Sequence, residues 1–164
     1  MSTVKRLALI LFVLVWCVGC DQITKSIAQS YLPQAAVSSF FGDTLRLKLA
    51  HNQGAFLSLG ASLPEFWRHA LFNVCVGFLL LGLLGYALIS KRIQPIGVFA
   101  IALLFAGGVS NLADRLMYNG TVVDFINLGI GPLRTGIFNV ADIFITAGVL
   151  ILFANGFHRK KYDF

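Results

Sequence analysis

The sequence predicts an all-α integral membrane protein of four transmembrane helices, both termini cytoplasmic, with a small extracytoplasmic β cradle. Three observations predict it. Of 164 residues, 57% are hydrophobic and 12% charged, far from a soluble average. The apolar residues gather into four runs, roughly 7–20, 69–90, 95–113 and 136–157, and about 20 residues cross a hydrocarbon core. Basic residues form short clusters between the runs: Lys5 and Arg6, Lys91 and Arg92, then Arg159, Lys160 and Lys161. In an up-and-down arrangement these clusters share one side and mark the cytoplasmic face. The net charge of +6 therefore reads as topology signals; nucleic-acid binding would need a basic face or tract, and none is visible.

The first run has only about 14 uninterrupted apolar residues and ends in VWCVGC before Asp21. That is also the look of a lipoprotein signal peptide cleaved at a lipid-bearing cysteine. Against cleavage, Cys17 stands three before Cys20, where a lipid-attachment motif usually has Leu. Ile23, Ile27 and Ala28 also carry an apolar stripe past Asp21 at helical spacing, and Lys25 can snorkel to the interface. With this extension the first span covers about 7–28. The 31–66 loop follows, where Leu45, Leu47 and Leu49 alternate with Arg46 and Lys48, the period of a half-buried strand. NQGAFLSLG supplies a turn, and Pro64-Glu65-Phe66-Trp67 has interfacial character. The second and third spans, about 69–90 and 95–116, are joined by the basic Lys91-Arg92 link. The 118–135 loop holds glycines and room for one or two short strands, and the fourth span covers about 136–157. The whole of 1–164 reads as a single domain. Cys17, Cys20 and Cys75 lie in or beside apolar runs without metal-ligand spacing, so no metal is expected.

Polar residues are distributed unequally. The predicted outer ends of the spans carry Asp21 and Lys25, His69 and Asn73, Asn111, Asp114 and Arg115, and Asn139 and Asp142. Of the seven acids, all but Asp163 lie on this side. Carboxylates at a bilayer boundary are costly and usually face a bundle interior or wet cavity. Ion pairs such as Asp114 with Arg115, or Lys25 with Asp21, account for single residues; the whole ring points to a functional site.

Several chemistries lack support. There is no HExxH, Ser110 in GGVSN is outside a GxSxG elbow, and His51, His69 and His158 are isolated. Paired carboxylates remain. Asp124 lies in VVDFI and Asp142 in FNVADIFI, one turn into a helix. Two carboxyls in a low-dielectric pocket do not both ionise cheaply, so one keeps its proton while the other activates water. Asp114 is a rival member, although the adjacent Arg115 suits it to an ionised pair. Asn139, three residues before Asp142, shares its helix face and can orient a carboxylate. Gly107-Gly108 permits close helix contact or room for an acyl chain. A small proton-coupled transporter is the alternative from another class, but the acids cluster at one end and mark no path across. A processed lipoprotein is the other alternative.

DQITK, NQGAF, NLADR, VVDFI and FNVAD, in this order over nearly the whole chain, resemble the lipoprotein signal peptidases (signal peptidase II) of bacteria. Two positions depart from the family pattern: many members have a second Ala before the Phe of NQGAF, and a Gly where this chain has Ser110. The resemblance implies an intramembrane aspartic endopeptidase that removes the signal peptide of diacylglyceryl-modified prolipoproteins, cutting just before the lipidated cysteine. It implies Asp124 and Asp142 as the catalytic dyad and Asn111, Asp114, Arg115 and Asn139 as residues lining or bracing the site. Asn52 and Gly54 would belong to the cradle, and Asp21 and Lys25 to the first-helix motif. No metal or organic cofactor is implied. The expected partners are prolipoprotein substrates, membrane lipid and globomycin-type inhibitors. The expected location is the bacterial plasma (inner) membrane, with the site at the outer leaflet.

Overall fold

The computed structural model describes residues 1–33, 36–54 and 59–160, with side chains described to residue 156. The basic cluster at Arg159, Lys160 and Lys161 and the Ala55-Phe56 half of NQGAF therefore lie outside the described side chains. In chain order the elements are α1 (Thr3–Tyr31), β1 (Ser38–Phe40), β2 (Leu45–Asn52) and α2 (Glu65–His69). A π-helical segment (Ala70–Cys75) then leads into α3 (Val76–Ile89), α4 (Pro95–Met117), β3 (Val122–Ile130), β4 (Leu133–Arg134) and α5 (Val140–Lys160).

Three helical stretches, Thr3–Tyr31, Glu65–Ile89 and Pro95–Met117, are long and apolar enough to cross a membrane. A fourth, α5, is apolar over the shorter stretch Val140–Gly156. The first helix runs unbroken through VWCVGC and Asp21, so the polar cluster lies within it and not after its end. Beyond Asp21 the helix continues with Ile23 and Ile27 exposed on its outer side and Ala28 buried.

Helix α4 lies at the centre, packed against α1, α3 and α5. Its inward residues Val98, Ile101, Ala102, Leu103 and Ala106 meet Ile10, Val13 and Cys17 of α1 and Ala87 of α3. Small residues set its distance to α5. A Cβ on Gly107 would lie 2.6 Å from the Ala141 carbonyl oxygen, and one on Gly148 2.7 Å from that of Ala100. A Cβ on Gly108 would meet Leu80 at 2.5 Å. The Gly107-Gly108 pair thus serves close helix contact.

At the N-terminal end of α1, Arg6 is buried against the link between α3 and α4. It donates to the carbonyls of Ala87, Ser90 and Ile93, satisfying acceptors that the end of α3 leaves unpaired. Its charge has a structural task.

At the other end of α4 the chain reverses sharply. Asn119 and Gly120 both have positive φ, 50° and 84°, and the Gly120 N–H reaches back to the Arg115 carbonyl at 2.7 Å. This left-handed C-terminal motif stops the helix and sends β3 back past Asp114. The four strands form one antiparallel sheet in the order β1-β2-β3-β4. The alternating leucines do lie on a strand, β2, and the 118–135 loop supplies β3 and β4. Ala28 at the end of α1 packs with Leu49, Val123 and Phe125, fixing the sheet over the bundle.

The β2–β3 register contains a bulge. Leu47 pairs with Ile126, but the next pair is Ala50 with Asp124, so β2 holds one extra residue. Side chains alternate faces with period two, and an extra residue therefore inverts the phase. Without it His51 would share the face of Asp124; with it Asn52 does.

Candidate functional site

Asp124 sits on β3 and Asp142 in the first turn of α5, and both line a cavity of about 290 Å³ with Asn52, Asn111 and Arg115. Asn139 joins them. Its Nδ2 donates to Asp124 Oδ1 at 2.7 Å, and its backbone N–H donates to Asp142 Oδ2 at 3.2 Å. In return its Oδ1 accepts the Asp142 N–H at 3.0 Å. Asn139 and Asp142 thus form a reciprocal capping pair at the start of α5, and the same asparagine reaches across to β3. Asn52 Nδ2 donates to Asp124 Oδ2 at 3.0 Å, and Asn111 Nδ2 donates to Asp142 Oδ1 at 2.9 Å.

Burial pushes the Asp124 carboxyl up to about 7. Hydrogen bonds from Asn52 and Asn139 oppose that rise, and the charge of Asp142 adds to it. This is the behaviour of a carboxyl able to hold or release a proton near neutrality.

Behind the pair lies a second, fully buried layer. Lys25 Nζ contacts Asp21 Oδ2 at 2.6 Å, Asp114 Oδ2 at 2.8 Å and Asn111 Oδ1 at 3.0 Å, using all three ammonium donors. Lys25 is 2% exposed and both carboxylates are 0% exposed, so the expected snorkelling does not occur. The lysine turns inward because two buried carboxylates need a counter-charge. Asp21 Oδ1 also accepts the Ala141 N–H at 2.8 Å, placing an anion from α1 at the positive end of α5. Asp114 Oδ2 accepts the Val123 N–H at 3.0 Å, fixing the residue beside Asp124.

The expected pairing of Asp114 with Arg115 does not form, because adjacent helical residues point about 100° apart. Asp114 takes Lys25 instead. Arg115 donates to the carbonyls of Gly54 and Asn111 and lies 5.5 Å from the Phe72 ring centre. Gly54 therefore enters the site through its backbone, and its N–H closes a turn on Asn52 Oδ1 at 2.9 Å. His69 and Asn73 are not among the cavity's lining residues; their side chains bond each other at 2.9 Å.

Two supporting residues were absent from the expected set. Ser110 is fully buried and donates to Asp21 Oδ2 at 2.7 Å, which excludes it as an exposed nucleophile. Gln22 donates to Ser110 Oγ and to Asp114 Oδ1 at 3.0 and 2.8 Å. The signal for Gln22 was present in DQITK, where positions 21, 22 and 25 of a helix share one side. Thr24, in the same cluster, bonds back to the Cys20 and Asp21 carbonyls.

The family model described as "Signal peptidase (SPase) II" matches residues 12–158. A lipoprotein signal peptidase of Francisella tularensis subsp. novicida is 34% identical over 148 residues, covering 88% of each chain. One of Syntrophus aciditrophicus is 33% identical, covering 86% of this chain and 87% of its own. A solved structure described as a bacterial membrane enzyme superposes with a TM-score of 0.80 at 26% identity, over 94% of this chain and 90% of that one. A family match over most of the length, together with these relatives, gives the conclusion: the chain belongs to the signal peptidase II family of membrane proteases.

Proposed function

We propose that this protease removes signal peptides from diacylglyceryl-modified prolipoproteins by cutting just before the lipidated cysteine, with Asp124 and Asp142 as an aspartic dyad. The observation that carries the reading is Asn139, whose side chain and backbone bond one carboxylate each across a shared cavity. In this mechanism one carboxylate takes a proton from water as the oxygen attacks the scissile carbonyl carbon. The other, protonated, donates to the carbonyl oxygen. Collapse of the tetrahedral intermediate expels the cysteine amine, which leaves with a proton returned by the dyad. Asn52, Asn111 and Asn139 hold the two carboxyls, and Arg115 ties the site to the cradle at Gly54.

A second groove of about 360 Å³ shares Asp142 and Thr146 with the central cavity and runs along α5 past Phe138, Ile143, Ala147 and Leu150. It supports lateral entry of a lipidated substrate from the bilayer. The same reading places the chain as a single domain of four spans in the bacterial plasma (inner) membrane. Both termini are cytoplasmic, the site is at the outer leaflet, and the sheet lies outside as a cradle. Globomycin-type inhibitors would bind the dyad cavity. The reaction calls for no metal or organic cofactor.

The test is cleavage of a diacylglyceryl-modified prolipoprotein by the protein reconstituted in bilayers. Asp124→Asn and Asp142→Asn are expected to insert and fold while losing at least about 10²-fold in rate. Near-normal cleavage by either variant overturns the dyad. Proton flux without a peptide product would point to transport.

A further inference from the structure

The turn between β1 and β2 is unusual. Phe41, Gly42 and Asp43 all have left-handed backbones, with φ of 53°, 61° and 71°. A bulky residue rarely takes that conformation, and Phe41 does so while 82% exposed. Side chains hold it there. The Asp43 carboxylate accepts from Ser39 Oγ and from Arg46 Nε, both at 2.7 Å. Arg134 donates to the Asp43 carbonyl at 2.8 Å, and the Gly129 N–H donates to the Thr44 carbonyl at 2.9 Å.

These last contacts bring the β3–β4 turn alongside. Its residues Ile130 and Leu133 are 79% and 82% exposed, and Phe40 and Leu128 are also open. Five large apolar side chains thus crowd one end of the sheet, the end far from the Asn52–Val122 pair beside the cavity. Exposed apolar patches of this kind mark an interaction surface. Arg46 and Arg134 share the single carboxylate of Asp43, and the exposed Lys48 lies further along β2, so cations outnumber the acid on this part of the sheet. The sheet also packs on the last turns of α1, whose outward residues Ile23, Ile27 and Tyr31 continue the apolar exterior of that span.

We propose that the paired turns at Phe41 and at Ile130–Leu133 dip into the phospholipid leaflet, anchoring the far end of the sheet in the bilayer. An aromatic tip with cations nearby suits the membrane interface, where the ring enters the acyl boundary and the cations meet lipid phosphate. Packing of the sheet on the end of α1, a helix long and apolar enough to cross a membrane, and this charge balance favour lipid over a protein partner. Anchored at both ends, the sheet keeps β3, and with it Asp124, at a set height above the spans.

The test uses the full chain in nanodiscs of phosphatidylcholine and phosphatidylglycerol, with Trp16→Phe and Trp67→Phe so that Phe41→Trp carries the only indole. The expected result is blue-shifted emission that is largely lost when the lipids carry bromine high on the acyl chains. Emission of a water-exposed indole, unaffected by bromine, overturns the proposal. Blue-shifted emission that bromine leaves intact also overturns it, and assigns the surface to protein, including a second copy of this chain. Retained cleavage of a lipidated prolipoprotein in detergent micelles shows that the variant is folded. A second variant, Phe41→Ser with Ile130→Ser and Leu133→Ser, should match the parent in micelles and cleave more slowly in nanodiscs; equal rates in both overturn the proposal.

Discussion

Replacing Lys25 by methionine removes the cation that touches both Asp21 and Asp114, 2.6 and 2.8 Å away. Methionine keeps most of the side-chain volume, so packing is little changed and the effect is electrostatic. Both carboxylates are fully buried, and breaking a buried pair by removing one partner costs about 3–5 kcal/mol. Hydrogen bonds from Ser110, Gln22 and the N–H groups of Ala141 and Val123 remain, which puts the expected loss near the lower end, about 3 kcal/mol. Native stabilities run about 5–15 kcal/mol, so the variant stays folded but unfolds well before the parent. The assay is denaturant unfolding in detergent micelles. Lys25→Met with Asp114→Asn should recover part of the loss, since one uncompensated charge is gone. A single-variant cost below about 1 kcal/mol, the value of an exposed pair, would refute the buried-network reasoning.

The remaining predictions concern the proposed dyad and the helix contacts. Asp124 titrates near 7 in the folded chain against an ordinary 3.8. Between these values the folded state holds the extra proton, so stability falls as pH rises from about 4 to about 7 and levels off above. In pH-dependent unfolding, Asp124→Asn should flatten that slope. Asn139→Ala removes the α5 cap and the bond to Asp124 Oδ1; a loss of about 1–2 kcal/mol is expected in unfolding, with cleavage reduced much further. Gly107→Val places atoms against the Ala141 carbonyl oxygen, where a Cβ alone would stand at 2.6 Å. Backbone cannot yield as a side chain can, so a cost of about 1–3 kcal/mol and slower cleavage are expected from the same measurements.

Hydropathy and charge placement carried the helices because apolar length is a property of local sequence. The leucine alternation carried β2 for the same reason. Pairing across the chain was less legible. That Lys25 turns inward, and that Asp114 chooses Lys25 over its neighbour Arg115, depends on the rotation of α1 against α4, which no single segment encodes. The bulge that gives Asn52 the face of Asp124 is likewise a property of two strands together. Ser110 read as an oddity in sequence, and only its position beside Asp21 explains it. The spacing of three between Asn139 and Asp142 was visible as a shared helix face, but the cap that the two form was not, and the reach of Asn139 to Asp124 required β3 to return over the end of α4.

The partners of the four site acids divide them into two kinds. Asp21 and Asp114 touch a lysine, and their oxygens serve as anchors for Ala141 and Val123. Among the described residues, Asp124 and Asp142 have no cation within ion-pair distance. Their side-chain donors are the amides of Asn52, Asn111 and Asn139. An amide donates to a carboxylate and also, more weakly, to the carbonyl oxygen of a neutral carboxyl, whereas an ammonium strongly favours the charged form. Amides can therefore hold the geometry of a carboxyl through a proton transfer. Lysine or arginine at position 52 would bind Asp124 more tightly and, by fixing its charge, take away the exchange that a shared-proton dyad requires.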